Sequence, residues 1–426
     1  MTLLVFISSM LGAMAIGVPV AFALMFCGVA LMWHMNMFNP QIIAQNMVAG
    51  AEENFTLLAI PFFILAGELM NSGGLSRRII DFALSCVGHI RGGLGIVAIM
   101  AAIIMASISG SAAADTAALA AILIPMMAKA GYNIPRSGGL IAAGGIIAPV
   151  VPPSMAFIVF GVAANVSITQ LFLAGIVPGL LMGVSLIIAW LIVVRKDDIQ
   201  PLPKASAKDR IRSTVRALWA LGMPVIILGG IKAGVMTPTE AAVVAAAYAL
   251  FVGMFIYREL KPSDLYHVVL RAAKSTAIIM FLVCAALVSA WLITAANIPN
   301  EIANLIRPLI DQPTLLIIVM MILVFIVGTA LDLTPTILIL TPVLMPIVKQ
   351  AGIDPVYFGV LFIINNAIGL ITPPVGVVLN VVSGVGRIPL GKVTVGVWPF
   401  LLAEVIVLAL LIAFPSIVMV PLNFLR

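Results

Sequence analysis

Charged residues are scarce in this chain. Asp, Glu, Lys and Arg make up only 9% of its 426 residues, against roughly 25% in a soluble globular domain. Apolar residues make up 63%. This balance excludes the class of water-soluble enzymes, and no catalytic residue is expected.

Histidine and cysteine are also rare, at three residues each. The histidines are scattered and form no helix-spaced ligand pair, and the cysteines lie in or beside apolar runs at spacings unsuited to a metal. The pattern therefore supports neither a metal centre nor Ser/His/Asp catalysis. We expect the cysteines to be small core residues.

The chain does contain long apolar runs, interrupted by 27 prolines and 35 glycines. This pattern predicts an all-α polytopic membrane protein whose helices are often broken. The run 2–33 follows no basic segment and exceeds a signal-peptide core, so we expect one retained membrane span there. Runs 117–129 and 334–348 are shorter than the about 20 residues that a crossing helix needs, which predicts re-entrant hairpins. Residues 265–274 and 302–310 are expected to be amphipathic segments at the membrane interface.

Basic residues are concentrated in one segment. Seven of the 22 Lys and Arg residues lie between Arg195 and Arg216. A basic loop between two apolar runs is what the positive-inside rule produces, so we place residues 195–214 in the cytoplasm. Aromatic residues do not interleave with the basic ones, so the segment does not indicate nucleic-acid binding.

The chain repeats itself at a spacing of 221 residues. This single shift superimposes seven helix-breaking or turn positions without a gap: Pro125 on Pro346, Ala130 on Ala351, Gly131 on Gly352, Pro152 on Pro373, Pro153 on Pro374, Gly175 on Gly396 and Pro178 on Pro399. Two repeated halves with matching broken helices are typical of secondary transporters, which bind their ligands at such breaks near the middle of the membrane.

The repeat divides the chain into five predicted parts. These are N-terminal scaffold helices at 1–93, a first transport repeat at 94–194, the basic loop at 195–214, central scaffold helices at 215–312 and a second transport repeat at 313–426. Each transport repeat is expected to hold a hairpin and a broken helix.

The predicted breaks carry the candidate binding residues. Ser107, Ser109 and Ser111 form a small polar hairpin tip that suits oxygen coordination of a hard cation or hydrogen bonds to an anion, although serines also pack membrane helices closely. The double prolines leave carbonyls about one turn earlier without N–H donors. Those carbonyls, on Ala148 and Val151 and on their counterparts Gly369 and Thr372, would bind a monovalent cation or simply be met by neighbouring helices.

Asp332 is the most exceptional polar residue of the second half. It lies in an apolar run, where a carboxylate needs a partner or a ligand. A ligand contact and a helix cap are both compatible with its position before Pro335. We interpret Asp115 as a helix cap. Asn365, Asn366 and Asn380 flank the second break, where they either reach a polar substrate or hydrogen-bond between helices.

Seven sequence segments carry a resemblance to a known family. They read SGSAAAD at 109–115, AGY at 130–132, VPPS at 151–154, LFLAGIVPG at 171–179, TPTEA at 237–241, DPVYFG at 354–359 and LITPPVG at 370–376. In these segments, and over essentially its whole length, the chain resembles the large membrane subunit (permease) of tripartite ATP-independent periplasmic (TRAP) transporters. One departure is Ser107, where relatives often carry glycine.

The resemblance implies an elevator-type transporter in the bacterial inner membrane that is driven by a sodium gradient. It implies two protein partners, a separate small four-helix membrane subunit and a periplasmic substrate-binding protein, and no cofactor other than sodium as the coupling ion. The segments SAWLI at 289–293 and GVVLN at 376–380 are most similar to permeases for 2,3-diketo-L-gulonate, rather than those for sialic acid or C4-dicarboxylates. The alternative is a carboxylate carrier or antiporter, coupled to protons or sodium, that works without a binding protein.

Family likeness and the internal repeat together define the predicted site. Substrate contacts are expected at four residues: Ser109, Ser111, Ser154 and Asp332. Sodium contacts are expected at seven: Ser107, Ala148, Val151, Gly328, Gly369, Thr372 and Val375.

Overall fold

The apolar runs fold as helices that end at prolines, glycines and polar caps. The computed structural model describes residues 2–52, 54–195, 197, 199, 201–298, 310 and 312–425. In this part of the chain the regular secondary structure is entirely helical, and nine helices are long and apolar enough to cross a membrane. The predicted all-α polytopic membrane fold is confirmed.

The first half of the chain contains ten α-helices and one short 3₁₀-helix within the described ranges. Their bounds are α1 Thr2–Ala15, α2 Val20–His34, α3 Pro40–Glu52, a 3₁₀-helix Phe55–Leu58, α4 Ala59–Ser72, α5 Leu75–Val87, α6 Gly93–Ser109, α7 Ala112–Lys129, α8 Ile134–Gly145, α9 Met155–Ala164 and α10 Ile168–Val194.

The remaining described residues form nine further α-helices and a single π-helical segment. Their bounds are α11 Ala207–Lys232, α12 Pro238–Phe251, a π-helix Val252–Ile256, α13 Pro262–Ala295, α14 Pro313–Ala330, α15 Leu333–Gln350, α16 Pro355–Gly369, α17 Val377–Gly386, α18 Leu390–Ala413 and α19 Ser416–Leu425.

The N-terminal run folds as two helices, so the expected single span over 2–33 is wrong. Gly17 has a φ of +87°, a conformation that favours glycine, and Pro19 has no N–H to continue a helix. α1 has 14 residues and α2 has 15, both fewer than a crossing helix needs. α1 packs against α2, and the Sγ of Cys27 lies 3.6 Å from the carbonyl oxygen of Phe6.

Two other boundaries differ from the expectation. Residues 265–274 are part of the continuous 34-residue helix α13 instead of a separate interfacial segment, and Arg271 in this part pairs with Glu68 at 2.9 Å. α11 begins at Ala207 behind its cap Ser206, so the end of the predicted loop is helical. The segment 302–310 lies outside the described residues, apart from residue 310.

The internal repeat is visible in the helix bounds. α15 begins and ends 221 residues after α7. α9 and α17 have ten residues each, and each follows a non-helical break at the double prolines. We call α6 with α7 the first hairpin and α14 with α15 the second. Residues 146–154 are the first break and residues 370–376 the second. The exact boundaries of the five parts stay a prediction.

The two halves run in opposite directions. α10 and α18 are counterparts in the repeat, and they contact each other along their lengths. Ser185 Oγ donates to Glu404 Oε1 at 3.4 Å, and the rings of Trp190 and Phe400 lie 6.1 Å apart. Residue numbers rise along α10 while those of their partners fall along α18, so the helices are antiparallel. Counterparts that are antiparallel make this an inverted repeat, as in many secondary transporters.

The halves also interlock. α15 of the second hairpin packs against α9 beyond the first break, and α7 of the first hairpin packs against α17 beyond the second. α8 and α18 pack closely where glycines leave room: a Cβ atom on Gly139 would lie 2.5 Å from the backbone of Gly396, and one on Gly396 would clash with Pro135 O. The interlocking buries the first break completely, whereas Pro373, Pro374 and Val375 of the second break and Asp332 at the second hairpin tip are exposed.

Candidate functional site

The first hairpin turns at a short polar tip. α6 ends at Ser109, and Gly110 has a φ of +61°, which glycine adopts without a steric penalty. Ser111 then caps α7, because its Oγ accepts a hydrogen bond from the N–H of Ala114 at 3.4 Å. The sequence around Gly110 thus ends one helix and starts the next within two residues.

Asp115 is tied to this tip. Ser109 Oγ donates to Asp115 Oδ1 at 2.6 Å and accepts from the N–H of Ser111 at 3.1 Å. Asp115 is buried, and its Oδ2 and the neighbouring Thr116 Oγ1 have no hydrogen-bond partner among the described residues. The interpretation of Asp115 as the helix cap is therefore wrong, since Ser111 is the cap. Asp115 instead holds a serine at the hairpin tip.

The tip of the first hairpin lies against the first break. A Cβ atom on Gly110 would lie 3.0 Å from Pro153 O and 3.3 Å from Ser154 Cα. Ser154 is fully buried and caps α9: its Oγ accepts from the N–H of Phe157 at 3.3 Å and donates to Pro149 O. The chain thus brings the predicted substrate residues of the tip and of the break together.

Three carbonyl oxygens of the first half have no donor. Within the described part of the chain, no hydrogen bond reaches the carbonyl oxygen of Ser107, Ala148 or Val151. The hydroxyl of Ser107 donates to Ile104 O at 2.6 Å. The prolines explain why the carbonyl oxygens of Ala148 and Val151 have no donor. Pro152 has no N–H to donate to Ala148 O, and the chain after Val151 does not return to a helix until Met155.

The second hairpin is capped by an aspartate. Asp332 Oδ1 accepts from the N–H of Leu333 at 2.8 Å, and Thr336 Oγ1 donates to Asp332 O at 2.9 Å. Asp332 occupies the position that corresponds to Ser111 in the first half. It is exposed, so its second oxygen is accessible to a ligand. Its role in substrate binding stays a prediction.

The second hairpin and the second break meet at two glycines. A Cβ atom on Gly369 would lie 2.6 Å from the carbonyl carbon of Gly328 and 2.7 Å from its oxygen. Asn366 lies beside this contact, and its Nδ2 donates a hydrogen bond to Leu333 O at 3.1 Å. Its Oδ1 would lie 2.6 Å from a Cβ atom on Gly328 and has no hydrogen-bond partner in the described ranges.

The other predicted sodium residues of the second half differ in what their oxygens contact. Thr372 Oγ1 donates to Ile368 O at 2.8 Å, and the Thr372 N–H donates to Gly369 O at 3.0 Å. Among the described residues, the carbonyl oxygens of Gly328 and Thr372 accept no hydrogen bond. Val375 is 41% exposed, and its carbonyl already accepts from Asn380 Nδ2 at 2.7 Å. Val375 is therefore the least suited of these residues to hold an ion.

Sequence reasoning missed three contributors to the site. Thr116 gave no signal, because its position against Gly145 depends on the packing of α7 on α8. Gly67 lies on α4, where a Cβ atom would be 3.6 Å from Ser109, so α4 borders the first tip. Asn366 was left open between two roles. Its position 221 residues after Gly145 marks a polar side chain at a repeat position where the first half has only backbone, and this contrast could have singled it out.

The neutral oxygen atoms that could coordinate a cation where each hairpin meets its break belong to hydroxyls, amides and carbonyls. Such neutral oxygens suit a hard cation. The part of the chain that the structure describes contains no group of three or more His, Cys, Asp or Glu residues that would hold a transition metal.

The family model for the DctM component of tripartite ATP-independent periplasmic transporters matches residues 7–417. The chain belongs to this family. It is accordingly a TRAP large permease, a multi-pass protein of the inner membrane.

Similar proteins span the whole chain. A putative TRAP transporter large permease protein of Haemophilus influenzae is 56% identical over 426 residues and covers 100% of both chains. The 2,3-diketo-L-gulonate TRAP transporter large permease protein YiaN of Escherichia coli is 53% identical, also with 100% of both chains covered. The sialic acid TRAP transporter large permease protein SiaM of Vibrio cholerae is 42% identical and covers 95% of each chain.

A solved structure shares the fold. The YdaH transporter of Alcanivorax borkumensis, described as having an unusual topology, superimposes with a TM-score of 0.64 over 89% of this chain and 88% of its own. Sequence identity is 14%, so this likeness supports only the fold of this chain and says nothing of its function.

The hydrogen bond between Ser109 and Asp115 predicts a measurable loss of stability. Ser109→Ala leaves a buried carboxyl group without its only hydrogen-bond donor among the described residues, which costs about 1–3 kcal/mol. We expect a thermal unfolding midpoint in detergent several degrees below that of the unmodified protein.

The matched control is Ser263→Ala. Ser263 also donates to an aspartate, Asp264 at 3.3 Å, but on the exposed surface, where substitutions change stability by less than about 0.5 kcal/mol. Equal midpoints for the two variants would show that the bond to Asp115 does not stabilise the hairpin tip.

Proposed function

We propose that this permease takes up an organic acid, a sugar acid of the 2,3-diketo-L-gulonate type, with sodium as the coupling ion. The observation that carries the proposal is the inverted pair of hairpin-and-break contacts, each lined by unpaired oxygens. In the proposed elevator mechanism the two interlocked hairpins move as one unit. A periplasmic binding protein delivers the substrate, and a small four-helix subunit completes the membrane part.

One sodium ion would bind at the first hairpin and break. The carbonyl oxygens of Ser107, Ala148 and Val151 lack donors in the described residues, and an unpaired carbonyl is costly at membrane depth. A bound cation without its hydration shell would replace the missing N–H groups. Coordination by backbone also tolerates a serine where relatives often have glycine.

A second ion would bind between Gly328, Asn366 and Thr372. The Oδ1 of Asn366 is buried and has no hydrogen-bond partner among the described residues. The carbonyl oxygens of Gly328 and Thr372 also accept no hydrogen bond in that part of the chain. The Thr372 hydroxyl donates its proton to Ile368 O and keeps lone pairs for the same ion. Four neutral oxygens on two adjoining segments suit a monovalent cation. Gly369 allows the two segments to approach each other because it has no side chain: a Cβ atom there would clash with the backbone of Gly328.

The proposed substrate site lies between the two hairpin tips and the first break. α7 and α9 begin at Ser111 and Ser154, and helix N-termini attract carboxylates. Asp332 would repel a carboxylate but accepts hydrogen bonds from hydroxyl groups. A ligand with a carboxylate at one end and hydroxyls at the other satisfies both, which favours a sugar acid over a C4-dicarboxylate. The naming of the Escherichia coli relative agrees with this choice.

The uptake test uses proteoliposomes that hold both membrane subunits. We expect labelled 2,3-diketo-L-gulonate to accumulate only with an inward sodium gradient and with the binding protein present, because both supply steps that the permease lacks on its own. Uptake that persists at full rate in potassium would contradict sodium coupling. Uptake without the binding protein would favour the alternative, a carboxylate carrier that works alone.

Substitutions of Asp332 and Asp354 distinguish a residue that contacts the substrate from one that only caps a helix. Both aspartates are N-caps, and Asp354 Oδ1 accepts from Val356 N–H at 2.8 Å and Tyr357 N–H at 3.0 Å. Asparagine caps a helix as well as aspartate does. We therefore expect Asp354→Asn to keep uptake, whereas Asp332→Asn should lower it at least about tenfold by removing a charge-assisted hydrogen bond to substrate. Equal uptake in both variants would reduce Asp332 to a cap.

A further inference from the structure

A polar cavity lies between α5 and the start of α11, two helices that both contact α6 of the first hairpin. Its volume is about 810 Å³. Four arginines line it, Arg77 and Arg78 from α5 and Arg212 and Arg216 from α11, and the end of the π-helix with Tyr257 closes one side. The cavity is on the side of the protein that carries the basic loop.

One of the four arginines in this cavity is held in an ion pair. Arg78 pairs with Glu259 at 2.8 Å and lies over the ring of Tyr257, with its guanidinium carbon 3.8 Å from the ring centroid. Arg77, Arg212 and Arg216 form no ion pair within the described residues.

The carboxylates of the lining do not balance these arginines. Glu259 is engaged by Arg78. Asp209 accepts from Ser206 Oγ at 2.6 Å as part of the cap of α11. Asp81 and Asp209 keep their charges, so the lining carries four guanidinium groups against three carboxylates and has a net charge of +1. Three of the guanidinium groups have no ion-pair partner among the described residues, so the cavity still favours an anion.

The mouth of the cavity lies beside an apolar surface. Ile211, Val215 and Leu218 are between 59% and 66% exposed, and their spacing puts them on one face of α11. Val215 also lines the cavity, as does Trp219, which is exposed. Tryptophan is enriched where membrane helices meet the headgroups. This apolar face and Trp219 would place the arginines at headgroup depth, with the face of α11 directed toward the acyl chains.

We propose that this cavity binds the phosphate-bearing headgroup of an anionic phospholipid. Guanidinium groups match the oxygens of a phosphate in pairs, and basic pockets between membrane helices take anionic headgroups. The apolar face of α11 would accommodate the acyl chains. A lipid held there links α11 to α5, the helix that leads from α4 into the first hairpin. The proposal is independent of the transport function proposed above.

The test compares three double variants of the full chain. Arg212→Gln/Arg216→Gln removes two charges from the cavity. Lys204→Gln/Lys208→Gln removes the same charge from exposed positions outside the lining. Arg212→Lys/Arg216→Lys keeps the charge of the cavity. Each variant is first shown to elute as the unmodified protein does on size exclusion, so that misfolded material is not scored.

Binding is measured by native mass spectrometry in a neutral detergent, with dioleoylphosphatidylglycerol and dioleoylphosphatidylcholine as probes. We expect phosphatidylglycerol to bind the unmodified protein and the lysine-to-glutamine control equally. It should bind the arginine-to-lysine variant more weakly, because an ammonium group cannot make the paired contact, and Arg212→Gln/Arg216→Gln about tenfold more weakly than the control or worse. Equal binding by that variant and its control, or equal binding of the two lipids, would overturn the proposal.

A parallel titration with inorganic phosphate distinguishes a lipid from a free anion. The expected result is no thermal stabilisation by phosphate at millimolar concentration beyond that given by chloride at equal ionic strength. Stabilisation by phosphate that is lost in Arg212→Gln/Arg216→Gln, without retention of phosphatidylglycerol, would assign the cavity to a soluble anion and overturn the lipid assignment.

Discussion

Backbone groups at membrane depth must find a partner, and the rest of this structure depends on that constraint. The double prolines remove N–H donors in the middle of two helices, at Pro152 and Pro373 and the residues after them. In lipid such breaks are tolerated only where protein, water or a ligand satisfies the exposed carbonyls. The first break is buried in the bundle. At the second break Gly328 and Thr372 are buried, whereas Pro373, Pro374 and Val375 are exposed.

The two enclosed breaks are related by the inverted repeat but differ chemically. Ser111 corresponds to Asp332, and Ser154 corresponds to Val375. The first half offers the half-buried hydroxyl of Ser111 and the buried hydroxyl of Ser154 at helix N-termini. The second half offers a carboxylate at the hairpin tip and the amide of Asn366. Symmetric backbone with asymmetric side chains fits a protein that binds similar ions twice and one asymmetric substrate between them.

The features that the sequence predicts correctly are those set by a residue's own backbone and its near neighbours in the chain. Helix breaks and the 221-residue repeat follow from proline and glycine, which act on their own backbone. The runs 117–129 and 334–348 are parts of the 18-residue helices α7 and α15, which are long enough to cross a membrane, so their predicted shortness is wrong. The pairing of Ser109 with Asp115 was missed, because two residues six apart across a turn meet only when the turn is known. The division of 2–33 depends on Gly17 adopting a left-handed conformation, which composition does not reveal. The unpartnered Oδ1 of Asn366 results from tertiary packing that no local pattern records.

The central claim is that the hairpin-and-break contacts bind sodium, and the thermal unfolding midpoint of Thr372→Val tests it most directly. The matched control is Thr294→Val, which removes a hydroxyl that donates to the carbonyl four residues earlier on α13, as Thr372 Oγ1 does at the second break. Sodium should raise the midpoint over equal potassium in the unmodified protein and in Thr294→Val, and clearly less in Thr372→Val. The same sodium-dependent rise in all three proteins would contradict a sodium site at the second break.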